Sequence, residues 1–133
     1  MEFAYRPDLD LFTARWPSST AASTARDEYE ALLQAPEALG TPHWLLDVRR
    51  RPVMSLDSAR WVTQDWLPRA AALVLPARLR LAFLVAPVRA ENLRADPELR
   101  AVMDAAYAAG HAFDLRTFTD EGAAVAWVLG QLD

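Results

Sequence analysis

Trp44-Leu45-Leu46-Asp47-Val48 is a short run with a single polar member, set between Pro42 and Arg49-Arg50-Arg51-Pro52. A nearly continuous apolar run bounded in this way reads as a strand covered on both faces, the pattern of a parallel sheet. A strand of that kind needs a crossover helix after it, and residues 56 to 74 supply one. Val62, Trp66, Ala70, Leu73 and Val74 fall on one helical stripe, with Ser55 or Asp57 available to cap its start. Pro68 lies inside the stripe and predicts a kink or a division of the helix.

Working outward, Leu79 to Val85 repeats the buried-strand pattern and closes at Pro87, followed by an irregular linker through Glu91, Asn92 and Arg94. Asp96 then reads as an N-cap, with Pro97 in the first helical position and Glu98 at the positive end of the dipole. Leu99, Val102, Met103, Ala106 and Tyr107 form the stripe of that helix, and Gly110 ends it. Ala112 to Phe118 reads as the last strand. Thr119-Asp120-Glu121 opens a final helix carrying Ala124, Val125, Val128 and Leu129, with Trp127 alongside. Toward the N-terminus, residues 2 to 16 alternate around Pro7-Asp8 as a hairpin. Ser18-Ser19-Thr20 offers caps for a helix over residues 19 to 35, stopped by Pro36. The expected architecture is one α/β domain over residues 1–133: an N-terminal hairpin, then α-β-α-β-α-β-α, with helices against a mostly parallel central sheet.

The composition narrows the function. The chain of 133 residues has 14 basic and 18 acidic residues, a net charge of −4, so it lacks the electrostatic footprint of a nucleic-acid binder. Every basic residue is Arg, with no Lys or Ile anywhere, so an Arg cluster carries less functional weight than usual. With no Cys there is no disulfide, thiol nucleophile or thiolate metal site. The stretch Met1 to Asp8 has neither the basic nor the apolar region of a secretory signal. The longest apolar runs, Ala70 to Leu75 and Leu81 to Pro87, fall short of the roughly 20 residues that span a membrane. The expectation is a cytoplasmic protein with no membrane contact.

The element order, taken with Trp44-Leu45-Leu46-Asp47-Val48-Arg49 before the second helix and Phe118-Thr119-Asp120-Glu121 leading to Ala126-Trp127, resembles the SpoIIAA-like superfamily. That superfamily includes STAS domains and bacterial proteins of STAS/SEC14 type. The resemblance implies a non-enzymatic, protein-interacting or regulatory module. Anti-sigma-factor antagonists of this group carry Asp-Ser-Ser-Gly at the start of the second helix and are phosphorylated on the second Ser. Here the segment reads Met54-Ser55-Leu56-Asp57-Ser58-Ala59-Arg60. Matching Asp57-Ser58 to the motif puts Ala59 at the phosphoacceptor position, and counting from Asp47 puts Asp57 there, so the switch is missing in either register. Modification of Ser55 or Ser58 in its own right competes with their plain reading as caps. Lipid carriage, implied by the SEC14 half of the name, would need an apolar lid and cavity for which the chain has no spare segment.

In open α/β sheets ligands bind beyond the carboxyl ends of the parallel strands, here the loops at 49 to 57, 86 to 96 and 118 to 121. Arg49, Arg50 and Arg51 leave a strand directly before a helix N-terminus and form a candidate receptor for an anion. Pairing with Asp47, Asp57 or Glu91 is their competing reading. Trp61 falls near Ser58, Asp65 and Arg69 and is expected to stand exposed as an interface anchor, whereas Trp44, Trp66 and Trp127 read as core. Such an anchor can also be buried against a second copy of the chain, so a homodimer is one expectation. The candidate surface for a protein partner, or for a small anionic ligand as the alternative, is therefore Arg49, Arg50, Arg51, Ser55, Asp57, Ser58 and Trp61.

No catalytic residue and no cofactor is assigned. The four Gly residues form neither GxGxxG nor a P-loop, and no Ser sits in a nucleophile elbow. Asp47 and Asp57 as an acid/base pair are outweighed by their hydrogen-bonding and capping roles. His43 and His111 both precede strands, at the pole opposite those loops, and fall short of a zinc site.

Overall fold

The computed structural model describes residues 1–16, 25–51, 54–108 and 110–131. The chain is α/β, with a mixed five-stranded sheet in the order β1-β2-β3-β4-β5. Strands β1 (Glu2–Arg6) and β2 (Leu11–Arg15) form the expected N-terminal hairpin, pairing antiparallel with Tyr5 opposite Phe12. Strands β3 (His43–Asp47), β4 (Leu79–Leu84) and β5 (Phe113–Phe118) then add in turn, each parallel to its predecessor.

Adjacent parallel strands taken in sequence, with crossovers of one hand, place all the connecting helices on the same face. The residue alternation follows. Phe12, Ala14, Trp44, Leu46, Leu81, Phe83, Phe113 and Leu115 face one core together with the connecting helices. Leu11, Leu45, Ala82 and Leu84 face a second, smaller core against Ala124, Trp127 and Val128 of the last helix.

The connections are α1 (Ala25–Leu32) and α2 (Pro36–Leu39), then α3 (Leu56–Trp61) and α4 (Leu67–Leu73), then α5 (Pro87–Ala95) and α6 (Pro97–Tyr107). Helix α7 (Glu121–Val128) closes the order. The expected helix over 19 to 35 is described only from Ala25 and stops at Leu32, because Pro36 opens α2 as a first-turn residue instead of terminating α1. The caps at Ser18, Ser19 and Thr20 lie outside the described residues. The expected linker through Glu91, Asn92 and Arg94 is instead α5, started by Pro87 after an extended Ala86. Its inward positions include Arg89, so the sequence shows no clean apolar stripe there.

Pro68 divides the second crossover through a π-helical turn over Val62–Trp66. The N–H of Leu67 donates to the carbonyl of Val62, five residues back. Widening the turn just before a proline relieves the clash of its ring with the carbonyl four residues earlier. Asp96 caps α6 by accepting from the N–H groups of Glu98 and Leu99, and Asp120 caps α7 by accepting from Ala123. Gly110 adopts φ +104°, the left-handed region expected for a residue ending a helix.

The larger core is organised by aromatic rings. Phe12 meets Trp44 edge-on at 5.7 Å, Trp44 lies 6.1 Å from Trp66, and Trp66 meets Tyr29 edge-on at 4.9 Å. The indole N–H of Trp66 donates to the carbonyl of Tyr29 at 2.7 Å, and that of Trp44 donates to Thr41 at 2.8 Å, so neither buried donor is left unpaired. Trp66→Ala removes a fully buried ring and the bond that holds α1, and should lower the unfolding free energy by about 3–5 kcal/mol in urea denaturation. A loss below about 1 kcal/mol would mean that the helices close over the gap.

Candidate functional site

The carboxyl ends of β2, β3 and β4 and the starts of α5 and α7 meet at one edge of the sheet, and two groups of charges lie there on opposite faces. On the α7 face, Asp47 is the buried hub. Arg49 grips it with a fork, Nε to Oδ1 at 2.9 Å and Nη2 to Oδ2 at 2.7 Å, while Arg15 Nη1 reaches Oδ2 at 2.6 Å. Arg15 also holds Glu121 with two bonds of 3.1 Å, and Arg49 touches the same carboxylate at 3.2 Å. Glu121 occupies the first turn of α7, where the helix dipole favours a negative charge.

Two guanidinium groups and two carboxylates make this quartet neutral. Burial by itself pushes the Asp47 carboxyl up, but hydrogen bonds from the Arg49 side chain and backbone and the nearby Arg15 charge outweigh it and hold the group below the usual carboxylate range. Hydrogen bonding to Arg15 likewise lowers Glu121. Both carboxylates are held ionised and make weak bases, and Asp57 makes none of these contacts.

The three consecutive arginines therefore have three different surroundings. Arg49 is engaged in the quartet. Arg50 is exposed, forms no ion pair among the described residues, and lines an open depression of about 710 Å³ together with Glu2, Arg15, Trp16, Asp47 and Arg49. Arg51 turns to the helical face with its side chain 13% exposed, and its Nη2 lies 3.2 Å from Glu28 Oε1.

The other candidate residues do not form one patch. Ser55 is the cap of α3, accepting from the N–H of Ser58 at 3.1 Å and donating to its hydroxyl at 3.0 Å. Asp57 sits exposed in the first turn of α3. Trp61 does not stand out as an exposed anchor: it is half-buried, edge-on to Tyr29 at 6.2 Å, with the guanidinium groups of Arg26 and Arg69 5.1 and 5.9 Å from its ring centre. The sequence reading placed Trp61 by its neighbours on α3 and had no view of α1, whose Tyr29 receives it.

His43 and His111 are engaged separately. His43 Nδ1 lies 2.9 Å from the Asp10 carbonyl, and His111 stacks on Phe113 with Nε2 2.9 Å from the Ala105 carbonyl.

Sequence reasoning missed Arg89, on the helical face of the same edge. It is 7% exposed, its Nη1 reaches the Val48 carbonyl at 3.4 Å, and its Nε has no hydrogen-bond partner among the described residues. Burial is the main influence lowering its pKa, and the charge of Arg51 adds to it. The side chain lines a small, partly open cavity of about 20 Å³ walled mainly by apolar groups such as Val62, Phe83, Leu93, Leu99 and Met103, with Thr63 and Thr117 also in the wall. Nothing in the local sequence separates an inward Arg from an outward one, because its long apolar stem suits either side. Arg15 and Glu121, 106 positions apart, were equally invisible as a pair.

Among the described residues no helix is long and apolar enough to cross a membrane, and no group of three or more His, Cys, Asp or Glu is arranged to hold a metal ion. Comparison with protein-family models, with curated proteins and with solved structures finds no match to this chain.

Both carboxyls of the quartet are held low in the folded protein and return to ordinary values near 4 on unfolding. The stability they contribute is complete above those ordinary values and is lost as pH falls through the folded ones. Asp47→Asn should cost about 2 kcal/mol at pH 7, and it should flatten the loss of stability on acidification, followed by denaturation at a series of pH values. An unchanged acid limb would remove Asp47 from this role.

Proposed function

We propose that the chain is a non-enzymatic binding and regulatory module, SpoIIAA-like in fold and related to STAS domains in element order, that takes a small anionic ligand at the Arg49–Arg51 strand-to-helix loop. The family part of this reading rests on the order of a hairpin followed by alternating helices and strands, and on the segments Trp44 to Arg49 and Phe118 to Glu121. It does not include a phosphorylation switch, because the serine that carries one is absent and Ser55 is occupied as a cap.

The observation that carries the ligand reading is Arg50. A guanidinium with no acidic partner among the described residues, on the wall of a depression beyond the carboxyl ends of parallel strands, has the position and charge that bind a carboxylate or phosphate. A protein partner docking through α3 has less to hold. Trp61 is covered by Tyr29 and two guanidinium groups, and Arg49 would have to abandon two carboxylates to reach a partner.

Thermal-shift measurements with inorganic phosphate, citrate and a panel of small organic acids test this. At least one small anion should raise the Tm of the wild type by several degrees at a concentration well above its Kd. Arg50→Glu should lose that shift while unfolding at nearly the same temperature without ligand, since its side chain makes no contact that the fold uses. Indifference to every anion, together with capture of a protein from cell extract that Arg50→Glu abolishes, would overturn the small-ligand reading in favour of a protein partner.

A further inference from the structure

We propose that Arg89 anchors an internal site for one small monovalent anion of halide size, on the opposite face of the sheet edge from Arg50 and independent of what fills the depression there. An arginine stays protonated under burial, so this side chain brings a full positive charge into a nearly dry interior. The residue is only 7% exposed, and its Nε donor is buried with no partner among the described residues. A buried charge without a counter-charge is among the most destabilising features a fold can hold, and in native structures it is paired or bound to an ion.

Among the described residues no group provides the counter-charge. No carboxylate pairs with Arg89 among the described residues. Glu28, on the helical face, has its Oε1 3.2 Å from Arg51 Nη2 without a hydrogen bond, and no ion pair joins it to Arg89. Tyr29 and Tyr107 are close enough to interact electrostatically with Arg89, but burial chiefly pushes both phenols up, so they remain neutral and offer protons rather than charge. The Val48 carbonyl at 3.4 Å supplies a weak dipole only.

Size selects the occupant. The cavity that Arg89 lines measures about 20 Å³, enough for one water-sized particle. Sulfate, phosphate and organic acids are too large for it, whereas chloride or bromide is not. A water there would satisfy the Nε donor and leave the charge uncompensated.

The test compares the Tm of the wild type in sodium chloride and bromide with that in sodium sulfate and gluconate at matched ionic strength. Sulfate stabilises proteins generally by exclusion from their surface, so the reading is the rise in the halides relative to gluconate, expected at a few degrees. Arg89→Met, which keeps the stem and removes the charge, should lose that difference, and Arg50→Glu should retain it. A bromide-grown crystal should show anomalous scattering in contact with Arg89 Nε, a measurement that stands even if Arg89→Met does not fold. Equal behaviour of the wild type in the halides and gluconate, a halide response that survives Arg89→Met, or a bromide crystal with no anomalous peak at Nε would each overturn the proposal.

Discussion

The indole of Trp66 ties the helical face of the sheet together. It is fully buried, packed between Trp44 of β3 and Tyr29 of α1, and its N–H has one acceptor, the Tyr29 carbonyl. Satisfying that donor fixes where α1 crosses α3 and α4, because a buried N–H without a partner costs several times what the bond itself contributes. Once α1 is set, the charges it carries are set with it. Glu28 faces Arg51, and Glu30 and Asp65 hold Arg69, whose guanidinium in turn lies near the Trp61 ring. The ion pairs on this side of the molecule are thus consequences of an aromatic contact in the core.

The opposite face obeys the same logic with a different anchor. Strand alternation turns Asp47 toward α7 while Leu46 and Val48 turn toward the larger core, so a strand that is otherwise apolar delivers one carboxylate to the α7 side. That carboxylate is 9% exposed, which makes two guanidinium partners a requirement of burial as much as a device for binding. Beyond Val48 the alternation ends, and the three arginines that follow are free to diverge to the quartet, the depression and the helical face.

What the sequence made legible follows from what periodicity can report. The strand read at Trp44 to Val48 and found at His43–Asp47, the cap-proline signal at Asp96-Pro97, the choice of Ser55 or Asp57 as a cap, of which Ser55 takes the role, and the opening of the last helix at Thr119-Asp120-Glu121 are all local patterns. The effect of Pro68 was readable too, although its form as a π turn depends on the space between α3 and the sheet. Helix α5 was missed because a buried Arg occupies the place an apolar residue would take in its stripe. The position of Trp61 was misjudged because half of its cover comes from a helix 32 residues earlier, and the quartet joins segments that no window spans. The general location of ligand-competent residues at the carboxyl edge was legible from topology alone, but which guanidinium has a partner there was not.

An Arg-only chain makes that last distinction the important one. Arg78 holds Asp114, and Arg80 donates to the carbonyls of Trp127 and Val128 at the end of α7 while lying 4.3 Å from the Trp127 ring centre, so these side chains are explained by the fold. Arg60 and Arg94 are exposed, and an exposed guanidinium is satisfied by water. A lysine buried at position 89 would respond to desolvation by losing its proton, removing the difficulty at its source. Arginine cannot do so near neutrality, and the charge therefore persists wherever the backbone puts it. Arg50 is set apart by the concavity it faces and Arg89 by its burial, and these two physical differences, rather than the abundance of arginine, single them out from the rest.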